Sequence, residues 1–148
     1  MRNKIKIAVV GIGLMGSQHL KAIKISKKAK LHSIVDINKK SFFLAKKFNV
    51  PFYRSTNELL KNKKPDAVIV ATPNHFHEKH TIRFLNKKIP VLLEKPISDN
   101  ISKAKKIIRS SQKNKTKLLI GYHRRHNNIV LKVKKKIESG SLGKIVAA

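Results

Sequence analysis

The sequence predicts an α/β protein of the Rossmann type, in which helices cover both faces of a doubly wound parallel sheet. Three observations lead to this class. Strand-like apolar runs alternate with helix-like segments, the first run enters a G-x-G-x-x-G turn, and an aspartate follows the second run. In sheets of this kind, ligands bind at the carboxyl ends of the strands.

The first predicted strand, residues 5–10, runs directly into the three glycines of that turn. Gly11 permits the tight turn, Gly13 lets bare backbone approach a pyrophosphate, and Gly16 lets the next helix lie close to the sheet. Asp36 follows the next apolar run, residues 31–35, where a carboxylate accepts the hydroxyls of an adenosine ribose. Together these features predict a dinucleotide site rather than a plain structural turn.

The other elements of the first half follow from periodicity and turn chemistry. Residues 14–27 are predicted to be helical, residues 41–48 form a second helix, and residues 52–53 form a short strand. Ser55 and Glu58 have the spacing of a capping box that begins another short helix. The apolar residues expected to face the core from the first two helices are Met15, Leu20, Ala22, Ile23, Phe42, Leu44, Ala45 and Phe48.

The second half opens with residues 67–70, an unbroken apolar run typical of a strand buried on both faces. A helix between the last two strands is expected to begin at a cap formed by Ser98 or Asp99. Its expected inward stripe is Ile101, Ala104, Ile107 and Ile108. The remaining predicted elements are a helix over about residues 75–86 and strands over residues 91–93 and 118–120.

The C-terminal part is predicted to be a separate unit. Residues 1–122 form the expected dinucleotide-binding domain, and residues 123–148 form a connecting helix and the start of a truncated second domain. The last helix carries Val130, Val133 and Ile137 on one face. Residues 145–148 begin another apolar run.

The charge of the chain raises a nucleic-acid hypothesis. Lys and Arg total 35 against 7 Asp and Glu, which gives a formal net charge of +28. However, the cations are mostly lysines spread over every predicted helix and loop, and aromatics make up 5% of the residues and fall mostly at core-type positions. We therefore interpret the lysines as solvated faces and expect no specific nucleic-acid site, only weak binding to polyanions.

Composition excludes several other classes of site. The chain has no cysteine, so disulfides and thiolate metal sites are excluded. No apolar segment approaches the roughly 20 residues of a membrane span, and we expect no membrane partner and a cytoplasmic location. His123 and His126 lack a third ligand, so no metal site is predicted. Arg124 and Arg125 fit either a substrate or partner contact or a solvated turn.

Two further motifs follow strand ends: A-T-P-N-x-x-H at residues 71–77 and E-K-P at residues 94–96. With the glycine turn, and in this order, they resemble the N-terminal domain of the Gfo/Idh/MocA family of oxidoreductases over essentially the whole chain. The resemblance implies an NAD(P)-dependent dehydrogenase, with hydride transfer between nicotinamide and a sugar-like or polyol-like hydroxyl. It also implies a second α/β domain that supplies most substrate contacts and that the sequence lacks.

The same resemblance implies roles for individual residues. Glu94 contacts the nicotinamide ribose, and Lys95 reaches the substrate carbon and is the catalytic residue. Each has a structural alternative: Lys95 as a surface lysine, Glu94 as a partner of a nearby lysine, and His77 as a hydrogen-bonding group near its helix start. The full cofactor-binding set is Gly11, Ile12, Gly13, Leu14, Met15, Gly16, Asp36, Ala71, Thr72, Pro73, Asn74, His77, Glu94 and Lys95.

Asp36 also predicts the choice of cofactor. Its carboxylate repels a 2′-phosphate, and Ile37 and Asn38 provide no arginine that receives one, so NAD is favoured over NADP.

Three hypotheses of function remain open at this stage. The first is the cofactor half of a truncated or split dehydrogenase, in a homo-oligomer or with a separate partner that carries the second domain. The second is a non-catalytic NAD-binding module, acting as a sensor or as a subunit of an assembly. The third and least favoured is a basic nucleic-acid-binding protein.

Overall fold

The computed structural model describes residues 3–62 and 64–146, and the predicted α/β class is confirmed. Within these ranges, six parallel strands form one sheet in the order β3-β2-β1-β4-β5-β6. The strands are β1 (Ile5–Val10), β2 (Ala29–Val35), β3 (Phe52–Tyr53), β4 (Ala67–Val70), β5 (Val91–Leu93) and β6 (Leu118–Ile120). The helices are α1 (Leu14–Ile25), α2 (Ser41–Lys47), α3 (Thr56–Lys61), α4 (His77–Leu85), α5 (Ile101–Lys113) and α6 (Asn128–Glu138).

The sheet is doubly wound about β1. The chain first builds outward from β1 through β2 to β3 and then returns to the other side of β1 as β4. The connections leave β1 and β4 in opposite directions at their carboxyl ends, and this topological switch point opens a crevice. The glycine turn after β1 and the loop after β4 therefore face each other across the ligand-binding edge of the sheet.

Two apolar cores cover the two faces of the sheet, because neighbouring residues of a strand point to opposite sides. Val9 packs with Leu20 and Ile23 of α1 on one face. Val10 packs with Phe84 of α4 and Ile107 of α5 on the other face. These residues are buried, so the strands at the centre of the sheet are fixed from both sides.

Helix boundaries and faces differ in places from the prediction. α1 ends at Ile25, two residues early, and Ala22 is exposed rather than inward. The N-cap of α5 is Asn100, not Ser98 or Asp99, and its Oδ1 accepts from the Lys103 N–H at 2.9 Å. Of the expected inward stripe of α5, Ile107 is buried and Ala104 is half-buried, whereas Ile101 and Ile108 are 75% and 43% exposed.

The capping box of α3 forms only in part. Ser55 Oγ accepts from the Glu58 N–H at 3.2 Å, as predicted. Glu58 Oε2, however, accepts from the Arg54 N–H at 2.8 Å, one residue before the expected partner. This bond still stabilises the helix start, and it also positions the backbone of Arg54 at the end of β3.

Several apolar residues of the helices lie on the surface. Phe42 of α2, predicted to be inward, is 50% exposed and contacts Phe43 edge to face, and Phe43 is 71% exposed, so these aromatics are less buried than expected. In α6, no residue is buried, although Val130, Val133 and Ile137 have helical spacing. The predicted run at residues 145–148 forms no strand at 145–146, and residues 147–148 lie outside the described ranges. Among the helices described, none is long and apolar enough to cross a bilayer.

Candidate functional site

Glycines shape the turn between β1 and α1. Gly11 has a φ of +86°, and a Cβ there would lie 2.8 Å from the Ala71 carbonyl oxygen. A Cβ on Gly16 would collide with the Gly11 carbonyl oxygen, whereas a Cβ on Gly13 would meet no atom within 4 Å. No side chain caps the N-terminus of α1. The turn therefore leaves open space beside Gly13 and uncapped backbone N–H groups, an arrangement that suits a phosphate.

Asp36 lies at the end of β2, beside this turn. Its Oδ2 accepts a hydrogen bond from the Ile12 N–H at 2.6 Å, and its Oδ1 accepts one from the Asn38 N–H at 2.7 Å. The two bonds fix the orientation of the carboxylate, and each oxygen keeps a further lone pair for a ligand. Asp36 is thus held against Ile12 of the glycine turn, where a ribose-binding carboxylate has to lie.

The turn and Asp36 open into one cleft of about 750 Å³, a volume typical of ligand sites. Its walls include exposed apolar side chains, of which Leu14 and Ile37 are 79% and 78% exposed. Exposed apolar side chains that converge on a cavity indicate a ligand surface. The sequence-predicted residues that line the cleft are Gly11, Ile12, Gly13, Leu14, Met15, Asp36, Ala71, Thr72 and Pro73.

Four cationic or titratable side chains on the cleft wall escaped the sequence analysis: Arg54, Lys79, His80 and Arg83. Arg54 Nη2 donates to the Ile37 carbonyl at 3.3 Å, so an arginine does reach the segment after Asp36. Arg83 Nη1 donates to Thr56 Oγ1 at 2.8 Å. The available signal for Arg54 was its position directly after a strand, in a chain whose cations are mostly lysines.

His80 has a strongly perturbed titration. Burial, which is the largest cause, acts together with the charges of Arg83 and Lys79 and with His77 to lower its pKa from 6.5 to about 4. Its ring therefore stays neutral at physiological pH. The cleft presents this neutral imidazole between two cations.

A buried hydroxyl at the cleft supports the fit of a polar ligand. Thr72 Oγ1 is buried and has no hydrogen-bond partner within the part of the chain that the structure describes. Buried hydroxyl groups in proteins are usually paired. Together with the open space at Gly13 and the uncapped helix start, this unpaired group fits a nucleotide in the cleft.

His77 is fully buried and ties two loops together. Its Nε2 lies 2.8 Å from the Thr72 carbonyl oxygen, and its Nδ1 lies 2.9 Å from the Pro96 carbonyl oxygen. The ring therefore connects the loop after β4 to the loop after β5. In this structure, both polar atoms of His77 are directed at backbone, in agreement with the structural alternative considered above.

Glu94 is also almost fully buried, at the end of β5. Its Oε1 lies 2.7 Å from Nε2 of His19 on α1, and its Oε2 accepts from the Lys95 N–H at 3.3 Å. Gly121 provides the room, because a Cβ there would lie 3.0 Å from Glu94 Oε1. The side-chain partner of Glu94 is thus His19 and not a lysine side chain. His19 was not among the residues predicted from the sequence.

Lys95 and Asn74 are exposed. Neither they nor His77 and Glu94 lie on the wall of the 750 Å³ cleft, so the structure divides the predicted site into two parts. Gly16 lies beneath the turn, against Gly11.

The remaining candidates follow β6, in the C-terminal segment. His123, Arg124, Arg125 and His126 form a short, exposed 3₁₀ turn, and the Arg125 guanidinium lies 5.7 Å from the centre of the Tyr122 ring. In the described ranges, no group of three or more His, Asp or Glu side chains forms a metal site.

Comparison with known proteins identifies the fold. A family model described as "Oxidoreductase family, NAD-binding Rossmann fold" matches residues 5–122. A myo-inositol 2-dehydrogenase of Thermotoga maritima is 29% identical over 141 residues, and the match covers 94% of this chain and 42% of that protein. The chain therefore spans about two fifths of the length of this curated relative.

Solved structures have the same architecture. A myo-inositol 2-dehydrogenase from Lactobacillus plantarum superposes with a TM-score of 0.92 at 22% identity, covering 97% of this chain and 44% of that one. A scyllo-inositol dehydrogenase from Lactobacillus casei with bound NAD(H) and scyllo-inositol superposes with a TM-score of 0.90 at 26% identity, covering 97% of this chain and 43% of that one.

Proposed function

The chain belongs to the Gfo/Idh/MocA oxidoreductase family and carries its NAD-binding Rossmann domain; from this premise we propose that its cleft binds NAD(H) for hydride transfer to or from a sugar-like or polyol-like hydroxyl. The observation that carries the proposal is the contact between Asp36 Oδ2 and the Ile12 N–H at 2.6 Å. This contact holds a ribose-binding carboxylate against a phosphate-binding turn in one cleft of about 750 Å³.

Different residues bind different parts of the proposed cofactor. The uncapped start of α1 and the space beside Gly13 receive the pyrophosphate, and Asp36 accepts the adenosine ribose hydroxyls. Thr72 supplies an unpaired hydroxyl on the wall of the cleft. Glu94 and Lys95 lie at the end of β5, where we place the nicotinamide ribose and the reacting carbon.

NAD(H) bound there supplies the hydride acceptor or donor. Lys95 is exposed beside a buried carboxylate, so its ammonium is free to donate a hydrogen bond to a substrate hydroxyl and to exchange a proton with it. Turnover also needs the substrate to be positioned and water to be excluded. We therefore expect NADH binding from this chain alone and oxidation of polyols only together with a substrate domain.

The relative affinity for NADH and NADPH is the most direct test of the residues proposed to bind the adenosine ribose. Asp36 repels a 2′-phosphate, whereas Arg54 lies close enough to attract one. Since Asp36 is fixed by two backbone bonds, we expect its repulsion to dominate, with NADH bound roughly tenfold more tightly than NADPH, a difference of about 1.4 kcal/mol.

Calorimetric titration of both cofactors tests this preference. Asp36→Ala is expected to remove the difference, because the carboxylate that repels the 2′-phosphate is gone. Asp99→Ala serves as a control because Asp99 is a surface carboxylate paired with Lys103. Equal affinities in the unmodified protein would refute the preference. A cleft that takes up neither cofactor would refute the proposed function itself.

A non-catalytic NAD-binding module remains the second candidate. Addition of NAD with myo-inositol or scyllo-inositol to the chain, together with a substrate domain supplied as a separate protein, distinguishes the two, since only a dehydrogenase then produces NADH and raises its absorbance. A cytoplasmic location and a separate partner or homo-oligomer stay predictions.

A further inference from the structure

The buried carboxylate of Glu94 has a specific side-chain partner on a different element. His19 Nε2 lies 2.7 Å from Glu94 Oε1, and the two side chains are 19% and 6% exposed. The residues are 75 positions apart in the chain. The contact therefore joins α1, which begins at the glycine turn, to the end of β5, which carries Lys95.

Hydrogen-bond chemistry determines which side chain of the pair is the donor. A carboxylate only accepts hydrogen bonds, so a bond to ionised Glu94 places a proton on Nε2 of His19. Bonds of this kind to a charged acceptor are short and strong, in agreement with the 2.7 Å separation. Without His19, the buried Oε1 would lose its side-chain donor.

Gly121 and the backbone of Lys95 restrict the position of the Glu94 carboxylate. Gly121 lies against it, and a Cβ there would approach Glu94 Oε1, Cδ and Oε2 to 3.0, 3.2 and 3.3 Å. The Lys95 N–H holds Oε2 at 3.3 Å. The carboxylate is thus held between α1, Gly121 and the backbone of Lys95. The contact from α1, the helix that follows the glycine turn, is made by His19.

We propose that His19 is a positioning residue that orients Glu94 toward the nicotinamide ribose and thereby sets the spacing between the pyrophosphate turn and the nicotinamide end of the cofactor site. The inference rests on the proposed function, because it assigns the target of Glu94 from it. His19 lies on the same helix whose N-terminus receives the pyrophosphate. One side chain consequently links the two places at which the cofactor is held.

Two variants of the same chemistry test the role. His19→Gln keeps an N–H donor at about the reach of Nε2, whereas His19→Asn has the same amide on a chain one carbon shorter. We expect His19→Asn to weaken NADH binding roughly tenfold and His19→Gln to restore it to within about threefold of the unmodified protein. Gln18→Ala, an exposed change on the same helix, is the matched control and is expected to have no effect.

ADP separates positioning of Glu94 from general damage to the fold, because it lacks the nicotinamide ribose. Titrations of NADH and ADP into the full 148-residue chain are compared for every variant. We expect ADP affinity to stay within about twofold throughout. In the Glu94→Ala background, His19→Asn is expected to add no further loss, since both act on one contact.

The outcomes are distinct. A parallel loss of NADH and ADP affinity in His19→Asn would overturn the inference, since His19 would then only support the turn. Unchanged NADH affinity in His19→Asn would overturn it as well, while the proposed function would stand. Absence of NADH binding to the unmodified protein would instead defeat the proposed function, and the inference with it.

Discussion

The predicted cofactor site has two halves that are held in place by different means. The glycine half, defined by Gly11, Gly13, Gly16 and Asp36, is an open cavity shaped by backbone geometry and backbone hydrogen bonds. The lysine half, defined by His19, His77, Glu94 and Lys95, consists of buried side-chain contacts that leave Lys95 exposed. The glycine half forms a cavity, and the lysine half sets the positions of the side chains proposed to react.

This difference indicates which kinds of change each half tolerates. The turn is sensitive to an atom added at Gly11 or Gly16, because a Cβ at either position would lie against a backbone carbonyl group in a closely packed region. A network of buried polar groups is sensitive to the loss of an atom, because the remaining partner stays unpaired. The predictions below test these two sensitivities, beginning with the largest expected effect.

The largest effect is expected from Gly16→Ala in the glycine half. The added Cβ would collide with the Gly11 carbonyl oxygen, so the turn or α1 has to move. We expect a loss of about 3 kcal/mol or more in the free energy of unfolding, measured by urea denaturation.

Gly13→Ala is its matched control, because a Cβ there meets no atom within 4 Å. It is expected to cost only about 1 kcal/mol, the usual penalty for Ala at a helix N-cap. NADH affinity should nevertheless fall, since the Cβ enters the open space of the turn. Equal stabilities of the two variants would contradict the assigned geometry.

A smaller loss of stability is expected in the lysine half from His77→Ala. The change leaves the Thr72 and Pro96 carbonyl oxygens without their buried partner, for which we expect a loss of about 2 kcal/mol. His75→Ala, at an exposed neighbouring position, is expected to change stability by less than about 0.5 kcal/mol. If His77→Ala instead weakened NADH binding at unchanged stability, His77 would be a direct cofactor contact, as the family resemblance implies.

The smallest effect concerns His80, on the wall of the glycine half. Its folded pKa of about 4 lies below the ordinary value of 6.5. Between these two values, the unfolded chain takes up a proton that the folded chain does not, so the free energy of unfolding decreases as the pH falls through this window.

His80→Gln removes this contribution, and we expect a flatter dependence of the urea midpoint on pH between about 6.5 and 4 than in the unmodified protein. Above about pH 7, the two proteins should respond to pH alike. A steeper or identical dependence in the variant would show that burial and the neighbouring cations do not hold the ring neutral.

Most of the fold was predictable from the sequence because its signals are local. Runs of four to six residues located β1, β2 and β4, shorter runs of two or three residues located β3, β5 and β6, and the glycine turn was located by spacing alone. Boundaries were predicted less well. Asn100 caps α5 in place of Ser98 or Asp99, because all three are suitable cap residues and only the path of the preceding loop decides among them.

The site was predictable to a different extent in its two halves. Nine predicted residues line the cleft that contains the glycine half, five of them in the turn itself, because the motif encodes the turn. Arg54 was missed because its contact with Ile37 spans 17 positions and belongs to no motif. The roles of Lys95 and Glu94 stay predictions, although the partner of Glu94 is now known to be His19.

By itself, the sequence determined the alternation of strands and helices, the glycine turn, the acidic residue after the second strand and the family, because these depend on residues a few positions apart. Only the tertiary structure decided that His77 ties two loops, that His19 meets Glu94 across 75 positions, and that the apolar side of α6 lies exposed. The reason is that such contacts depend on which strands are neighbours and on which helix faces find a partner, and periodicity along the chain encodes neither.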